Sequence, residues 1–229
     1  MKISKLYITL KEDTLVDIDF NINSSLALVG QSGSGKSLTI KALLNMLPNE
    51  MRSKLEVESS FDLVAGDTIG FVPQNPFTAL SPLTKIKDQI FVPFDEIKKL
   101  FDQVNLDIAL LDRYPPELSG GQLQRVIIAI SLSCYPKLLL LDEPTTALDP
   151  QTRVTIIDLI KSLQKEFGFK LLFVTHDMSS AKLLCEEICV IKNGKVIEFG
   201  KMADVLQDPQ DNYTKTLIEA NFANRKYRE

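Results

Sequence analysis

The sequence predicts an α/β fold with a mostly parallel sheet, an antiparallel β subdomain and an inserted helical subdomain. Three observations support this class. Polar and apolar residues alternate over residues 2–10 and 16–22, which is typical of half-buried antiparallel strands. Later apolar runs are short and continuous, as expected for buried parallel strands. Residues 75–118 instead contain short amphipathic helical segments between prolines, which indicates an insertion.

The first elements form a hairpin that is followed by a buried strand. Residues 11–14 are the predicted turn between the two alternating strands. The apolar run at 26–29 leads through a glycine-rich loop into a helix predicted from residue 36 to about 47. Strand, loop and helix in this order are the setting that a phosphate-binding loop requires.

The remaining elements follow from the same patterns. Buried strands are predicted at 68–72, 138–142 and 171–175. A last pair of strands, 188–192 and 195–199, turns at Asn193-Gly194, a dipeptide typical of hairpins. Helical periodicity covers 94–104 and 122–134, and a short helical tail is expected over about 201–229. We expect the whole chain, 1–229, to form one domain.

Charge and hydropathy limit the partners and the compartment. The net charge of −4 gives no basic surface for nucleic acid, and the positive cluster at 225–228 is interpreted as a solvated tail. No apolar run approaches the roughly 20 residues that span a bilayer. Residues 1–6 do not begin a secretion signal. We therefore expect a soluble protein in the cytoplasm that has no nucleic-acid partner.

The three cysteines predict no disulfide framework, and an odd number suits a reducing compartment. Cys185 and Cys189 lie close enough in sequence to raise the possibility of a metal site. A break between a helix and a strand is expected between them, and neither a His nor a second Cys pair lies nearby. Buried thiols are therefore the favoured interpretation.

A phosphate-binding loop follows the strand at 26–29. Its residues match G-x-x-x-x-G-K-[ST] and are Gly30, Gln31, Ser32, Gly33, Ser34, Gly35, Lys36 and Ser37. In such a loop, successive backbone N–H groups surround the β- and γ-phosphates at a helix N-terminus. Lys36 is predicted to bridge the phosphate oxygens, Ser37 to bind Mg²⁺, and Leu38 to complete the nucleotide-binding set. The strand and helix on either side argue against a merely structural turn.

Two carboxylates end the apolar run at 138–142. Asp142 is predicted to bind Mg²⁺ together with the P-loop serine, as in the phosphoryl-transfer template. Glu143 is the predicted catalytic carboxylate, which polarises the attacking water. Adjacent carboxylates are often a solvated strand end, but a P-loop in the same chain and Pro144 favour the functional interpretation.

A second glycine-rich segment, Leu118-Ser119-Gly120-Gly121-Gln122, precedes the helix at 122–134. Ser119 is a favoured N-cap, so capping alone is the structural explanation. Gly120 and Gly121 weaken the first turn of the helix, so their presence there indicates that another group must approach the backbone closely. An anionic phosphate at a helix N-terminus is such a group.

These motifs together resemble the ATP-binding cassette (ABC) ATPases, whose LSGGQ signature stands beside a P-loop. The resemblance covers nearly the whole chain and implies a P-loop NTPase core. It implies that Ser119, Gly120, Gly121 and Gln122 reach the γ-phosphate held by an opposite subunit, so that the ATPase acts as a dimer. Gln74 matches the family's Q-loop glutamine, which contacts Mg²⁺ and water, and His176 matches its switch histidine. Ala147-Leu148-Asp149 matches the D-loop that crosses the dimer.

Within the family, the chain is most similar to ATPase subunits of nickel and peptide importers. The similar stretches are 71–83, 114–117, 142–149 and 208–217. The chain stops soon after the last of these, without the cysteine-bearing extension common in peptide-importer members. Residues 26–47 also resemble the nickel-importer subunit, so we expect nickel as the cargo, with peptide as the alternative.

One feature departs from the family pattern. ABC ATPases usually stack adenine on an aromatic side chain near the first hairpin, but the nearest position here is Leu10, and Tyr7 is the only candidate close by. How the base is held stays open.

The resemblance implies an ATPase that uses ATP and Mg²⁺ at the cytoplasmic face of the inner membrane. Its expected partners are membrane permeases, a second and non-identical ATPase, and indirectly a substrate-binding protein. A soluble ABC ATPase of assembly or repair type is the second class, but no long coiled-coil insertion, duplicated cassette or basic face supports the nucleic-acid versions. A non-hydrolysing regulatory cassette conflicts with intact Lys36, Glu143 and His176.

Overall fold

The computed structural model describes residues 1–146 and 148–223. Over these residues the chain forms nine strands, which are β1 (Lys2–Leu10), β2 (Asp13–Asn21), β3 (Ser25–Val29), β4 (Met51–Glu58), β5 (Ile69–Val72), β6 (Leu138–Asp142), β7 (Lys170–Thr175), β8 (Glu187–Lys192) and β9 (Lys195–Lys201). It also forms seven α-helices, which are α1 (Lys36–Leu43), α2 (Phe94–Gln103), α3 (Gly120–Leu132), α4 (Pro150–Phe167), α5 (Met178–Leu184), α6 (Met202–Gln207) and α7 (Asn212–Ala223).

The chain divides into two compact units, and the first comprises Met1–Leu63 and the chain from Lys170 onward. It contains an antiparallel sheet in the order β2-β1-β4. In the same unit β3 pairs in parallel with β7 and with β8, and β8 pairs antiparallel with β9. Every residue of β3 is buried, as the apolar run at 26–29 predicts, and the polar Ser25 before that run is buried as well.

The second unit comprises Val64–Phe169. Its strands β5 and β6 pair in parallel, and residues 138–141 of β6 are fully buried. Between them, short 3-10 helices at Pro76–Thr78, Ile86–Gln89, Ile108–Asp112 and Pro115–Glu117 accompany α2. The predicted amphipathic segment at 94–104 is a helix with Ile97, Leu100 and Phe101 on its buried face. The limits of the predicted insertion, 75–118, stay a prediction.

The predicted elements are found with several differences. Strand β4 and helix α4 were not predicted, and β2 begins at Asp13, inside the predicted turn at 11–14. Strand β4 pairs with β1 from Leu10↔Met51 to Lys2↔Glu58. Helix α1 ends at Leu43 rather than near residue 47, because Asn45 takes a left-handed backbone with φ of 56°. The N–H groups of Asn45 and Met46 then bond to the carbonyls of Ala42 and Lys41, which is a Schellman ending.

Two local predictions are confirmed. The Asn193-Gly194 turn joins β8 and β9, and both of its residues have positive φ, 50° and 73°, as a type I′ hairpin requires. Cys185 and Cys189 are buried, the first just after α5 and the second within β8. Burial raises the pKa of the Cys189 thiol and keeps it protonated.

Within residues 1–146 and 148–223, no helix is both long and apolar enough to cross a bilayer. The predicted helical tail is found as α6 and α7 up to Ala223, while residues 224–229, including the positive cluster at 225–228, lie outside the described residues.

Candidate functional site

The P-loop connects β3 to α1 in the first unit. Gly35 is the N-cap of α1 and has φ of 109°, a conformation that a side chain would strain. At Gly30, an added Cβ would collide with the Ile191 carbonyl oxygen. The buried Lys36 ammonium donates to the carbonyl oxygens of Gly30 at 2.6 Å and Gln31 at 3.0 Å. The lysine thus lies over the loop. Close packing requires the glycine at position 30, and positive φ favours glycine at positions 33 and 35.

Two neighbouring segments support this loop from within the same unit. At the β8–β9 turn, the Gly194 N–H donates to the Ser34 carbonyl at 3.0 Å. From α7, the Tyr213 hydroxyl accepts the Gln31 N–H at 2.9 Å. The Tyr213 ring is itself covered by the Lys192 ammonium, 4.7 Å from the ring centroid. The P-loop is therefore held at both of its halves by residues distant in sequence.

His176 follows β7 directly and is exposed. On one side of it, the Thr175 hydroxyl oxygen accepts the Asp177 N–H at 3.0 Å. On the other side, Asp177 is the N-cap of α5 and accepts the Ser179 N–H at 2.9 Å. The backbone on both sides of the histidine is therefore fixed by hydrogen bonds.

In the second unit, β6 ends at Asp142, and Glu143 follows with φ of 45°. A left-handed backbone is unfavourable for a residue such as glutamate, and strain of this kind is concentrated at functional sites. The Glu143 Oε2 accepts hydrogen bonds from the Gln74 amide at 3.3 Å and from the Thr146 hydroxyl at 3.1 Å. Two predicted catalytic residues, Glu143 and Gln74, are thus in direct contact.

The signature segment begins α3 through a capping box. The Ser119 hydroxyl oxygen accepts the Gln122 N–H at 3.2 Å, and the Gln122 side-chain oxygen accepts the Ser119 N–H at 2.9 Å. The predicted N-cap is confirmed. An added Cβ at Gly121 would come within 2.8 Å of the Thr152 methyl group, so packing within the chain already explains that glycine. At Gly120 a Cβ would meet only an ordinary contact with Leu148.

Asp149 begins α4 as its N-cap. It accepts the N–H groups of Gln151 at 3.1 Å and Thr152 at 3.0 Å. Hydrogen bonds from the Thr152 side chain and from these N–H groups lower the pKa of Asp149. The aspartate is therefore ionised and oriented at the end of the predicted D-loop. Ala147, also assigned to that loop, lies outside the described residues.

The predicted metal ligands are Ser37, Asp142 and Gln74. Ser37 is exposed at the start of α1, and Asp142 is half-buried at the end of β6. With the Gln74 amide they supply hydroxyl, carboxylate and carbonyl oxygens, the hard ligands that Mg²⁺ prefers. Over the described ranges no three His, Cys, Asp or Glu side chains group into a metal site. A single carboxylate fits Mg²⁺, which takes most of its ligands from phosphates and water.

Tyr7 lies on the half-buried face of β1. Its hydroxyl shares a 3.0 Å hydrogen bond with the Thr14 hydroxyl, and the Lys5 ammonium lies 5.4 Å from its ring centroid. The ring is therefore fixed at both its polar end and one face.

The structure distributes the predicted site residues between the two units. The P-loop, Leu38 and His176 belong to the first unit, whereas the second contains Gln74, Asp142, Glu143, the signature and Asp149. Among the residues in direct contact with these segments, sequence reasoning missed the side chains of Thr146, Tyr213 and Asn221. Thr146 and Tyr213 fall in stretches that resemble the importer ATPases, but nothing in those stretches signalled their contacts.

Comparison with known proteins places these motifs in a family. The sequence pattern of "ABC transporter" matches residues 14–146, which include the P-loop, the signature and Glu143. The chain is 36% identical to the peptidoglycan transport ATP-binding protein YejF of Agrobacterium fabrum, covering 90% of this chain and 42% of that protein. It is also 36% identical to the glutathione import ATP-binding protein GsiA of Escherichia coli K12, covering 86% of this chain and 37% of that protein. The chain thus spans about two fifths of the length of these curated relatives.

Solved structures show the same fold. The cbiO1 protein of Clostridium perfringens, part of the ABC transporter complex cbiONQ, matches with a TM-score of 0.75 and 26% identity over 99% of this chain and 96% of that one. A dimeric ATP-binding cassette in a post-hydrolysis state, bound to ADP and Pi, matches with a TM-score of 0.70 and 27% identity over 88% of this chain and 98% of that one. The α/β fold with its P-loop NTPase core is confirmed, and ABC ATP-binding proteins are ATPases. The nickel-importer type is not distinguished by these relatives. Its motifs, its fold and these matches show that the chain belongs to the ABC transporter family.

Proposed function

We propose that this chain is the ATP-binding and ATP-hydrolysing subunit of an ABC importer, acting at the cytoplasmic face of the inner membrane. The observation that carries the proposal is the Glu143 carboxylate, which is held by Gln74 and Thr146 in a chain that also has a complete P-loop and a capped signature helix. A regulatory cassette that does not hydrolyse ATP has no use for a strained and oriented acid at this position.

Nucleotide binding is assigned to the P-loop, with Gly30, Gln31, Ser32, Gly33, Ser34, Gly35, Lys36, Ser37 and Leu38 as its residues. The backbone N–H groups of such a loop surround phosphate oxygens, and the dipole of α1 favours their negative charge. Lys36 now donates to two loop carbonyls. A bound phosphate offers the Lys36 ammonium a charged acceptor, which forms a stronger hydrogen bond than a carbonyl does.

Hydrolysis is assigned to Glu143, with Gln74 and His176 as its partners in the reaction. The Glu143 carboxylate orients and polarises the attacking water, and the Gln74 hydrogen bond fixes one of its oxygens. His176 is exposed on a loop whose backbone is held by a hydrogen bond, and its assigned role is contact with the γ-phosphate. Ser37, Asp142 and Gln74 would hold Mg²⁺, which neutralises charge on the β- and γ-phosphates when it is bound.

The proposed assembly contains a second, non-identical ABC ATPase. Each nucleotide then lies against the P-loop of one ATPase and the signature of the other, here Ser119, Gly120, Gly121 and Gln122, with Asp149 at the dimer crossing. A dimeric cassette bound to ADP and Pi is among the similar solved structures, and it supports the dimer. The pairing of two different chains is taken from the importer resemblance.

The proposed contact with the permeases is the exposed apolar surface after Gln74. Leu83 is 88% exposed and Phe91 is 92% exposed, and Phe77 and Phe94 are exposed beside them in sequence. Several large apolar side chains exposed within one short segment favour an interaction surface. One structural relative, cbiO1, is part of an ABC transporter complex, which supports a membrane partner. A substrate-binding protein would act indirectly, through the permeases.

Two cargo classes stay open within the proposal. The relatives are named for glutathione and peptidoglycan transport, which favours a peptide-like cargo. The likeness of residues 26–47 to nickel-importer subunits is the argument for nickel. Uptake of labelled nickel and of a labelled peptide, in cells with and without the gene, separates the two.

The decisive experiment reconstitutes the chain with its partner ATPase and permeases in lipid vesicles. We expect slow ATP hydrolysis by the isolated chain and faster hydrolysis in the assembly. Phe91→Asp should remove the stimulation while ATP binding stays unchanged, because it places a charge in the apolar surface. The control is Met46→Asp, which puts the same charge at another exposed apolar side chain. Equal stimulation of both variants contradicts the permease contact, and no hydrolysis in any mixture contradicts the ATPase assignment.

A further inference from the structure

Helix α7 contacts both phosphate-directed segments of the first unit, and no motif of the sequence accounts for these contacts. Tyr213 in its first turn accepts the P-loop N–H of Gln31 at 2.9 Å. Asn221 near its other end accepts the N–H of Met178, two residues after His176, at 3.3 Å. We propose that Tyr213 and Asn221 are positioning residues, through which α7 sets the geometry of the P-loop and of the histidine loop for ATP.

The Tyr213 contact is built to hold the P-loop. The Tyr213 backbone N–H donates to Asp211 at 2.7 Å, which fixes the start of α7, and Lys192 covers the ring. The hydroxyl is therefore brought to Gln31 by an ordered side chain. With the Gln31 N–H satisfied by Tyr213, the first turn of the loop is fixed without using a phosphate oxygen. The Gln31 carbonyl also accepts the Ser34 N–H at 3.2 Å, so this turn is held on both sides of Gln31 and the rest of the loop is left to the nucleotide.

The Asn221 contact braces the histidine loop in a similar way. The Asn221 side-chain nitrogen donates to the Leu217 carbonyl at 2.9 Å, which turns the side-chain oxygen toward Met178. Met178 is the first residue of α5, where the backbone N–H groups have no acceptor within the helix. Asp177 satisfies the N–H of Ser179, and Asn221 satisfies that of Met178. The backbone on which His176 stands is thus fixed by α7.

The two contacts predict different kinetic effects. This inference rests on the proposed function, because it assigns Gln31 to ATP binding and His176 to hydrolysis. Loss of the Tyr213 hydroxyl should weaken ATP binding and raise KM, with little change in kcat. Loss of the Asn221 acceptor should lower kcat, with little change in KM. A merely structural role for α7 would lower the melting temperature and the amount of active protein in both variants, without this split.

The first arm of the test compares Tyr213→Phe with wild type. The variant keeps the ring and its contact with Lys192 and loses one hydrogen bond, so the Kd for ATP should rise about three- to tenfold. Amide exchange at Gln31, measured by NMR in the nucleotide-free protein, should become faster. The matched control is Tyr135→Phe, which removes an exposed hydroxyl bonded to Glu96 and should change neither value.

The second arm compares Asn221→Leu with Asn221→Asp. The leucine should lower kcat of the reconstituted assembly about three- to tenfold, as expected for one lost hydrogen bond. The aspartate restores the acceptor oxygen at a helix N-terminus and should recover most of the rate. Wild-type Kd and Gln31 exchange in Tyr213→Phe, or equal kcat in the two Asn221 variants, would overturn the positioning role while the ATPase assignment stands. Failure of the wild-type protein to bind ATP would overturn both.

Discussion

Two loops follow buried strands in this chain, one after β3 and one after β6, and they present different chemical groups. The loop after β3 takes its positive φ values at glycines, 81° at Gly33 and 109° at Gly35. The loop after β6 takes its positive φ at Glu143, 45°, where a side chain makes that conformation unfavourable. The first loop therefore presents backbone N–H groups, while the second presents an oriented carboxylate.

The difference separates binding from reaction. Phosphate recognition needs several backbone N–H donors arranged around the anion, and glycines with positive φ allow the backbone itself to provide them. Activation of water needs one acceptor at one position, so the strain is accepted at a single residue whose carboxylate is held by Gln74 and Thr146. Substitutions after β3 should then change mainly ATP affinity, and substitutions after β6 mainly turnover.

The largest expected effect comes from Glu143→Gln. The amide keeps the size of the side chain and can still accept from Gln74 and Thr146, but it cannot take a proton from water. Steady-state ATP hydrolysis by the reconstituted assembly should fall about 100- to 10,000-fold, with the Kd for ATP within about twofold of wild type. The control is Glu166→Gln, the same change at an exposed glutamate of the same unit that bonds to Gln103. A large loss of ATP affinity in Glu143→Gln would contradict the assignment of binding to the loop after β3 and of turnover to the loop after β6.

The second prediction concerns the loop after β3. Lys36→Met keeps the length of the side chain and removes its charge, so it loses the charged hydrogen bonds to phosphate oxygens. The Kd for ATP should rise about 10- to 100-fold, measured by titration with a fluorescent nucleotide. Lys41→Met, an exposed lysine on the same helix, should bind ATP as wild type does. Normal affinity with lost turnover in Lys36→Met would assign this lysine to the reaction instead.

Most of both loops could be predicted from the sequence, because each is specified locally. The uninterrupted apolar strands, the P-loop glycines and the Ser119 N-cap are all encoded within a few neighbouring residues. Strand β4 could not be predicted in this way. Most of its residues are exposed, so its alternation is weak, and its partner β1 lies about fifty residues earlier in the chain.

The early end of α1 could have been predicted from its residues. Asn45, followed by Pro48, is a typical helix-ending pair, and the Asn takes the left-handed position of the Schellman motif. The supports of the site could not be predicted. Tyr213 reaches Gln31 across 182 residues, and Asn221 reaches Met178 across 43, and neither residue type carries a local signal for such a contact. Contacts that depend on the assembled fold are the part that a single sequence does not specify.

The smallest expected effect tests whether the phosphate loop provides nearly all of the binding. The residue at position 10 is a leucine, not an aromatic residue, and the nearby Tyr7 is engaged by Thr14 at its hydroxyl and by Lys5 over its ring. The purine base should then add little to the free energy of nucleotide binding. The Kd values for ATP and GTP should agree within about tenfold, or about 1.4 kcal/mol. Tyr7→Ala should leave both values unchanged, with Tyr135→Ala as the matched control for loss of an exposed tyrosine. A larger preference for ATP that disappears in Tyr7→Ala would show that the ring stacks on adenine. Nucleotide binding would then depend on the Tyr7 side chain as well as on the backbone of the loop. The contrast between a binding loop after β3 and a reaction loop after β6 would apply to the phosphates of the nucleotide and not to its base.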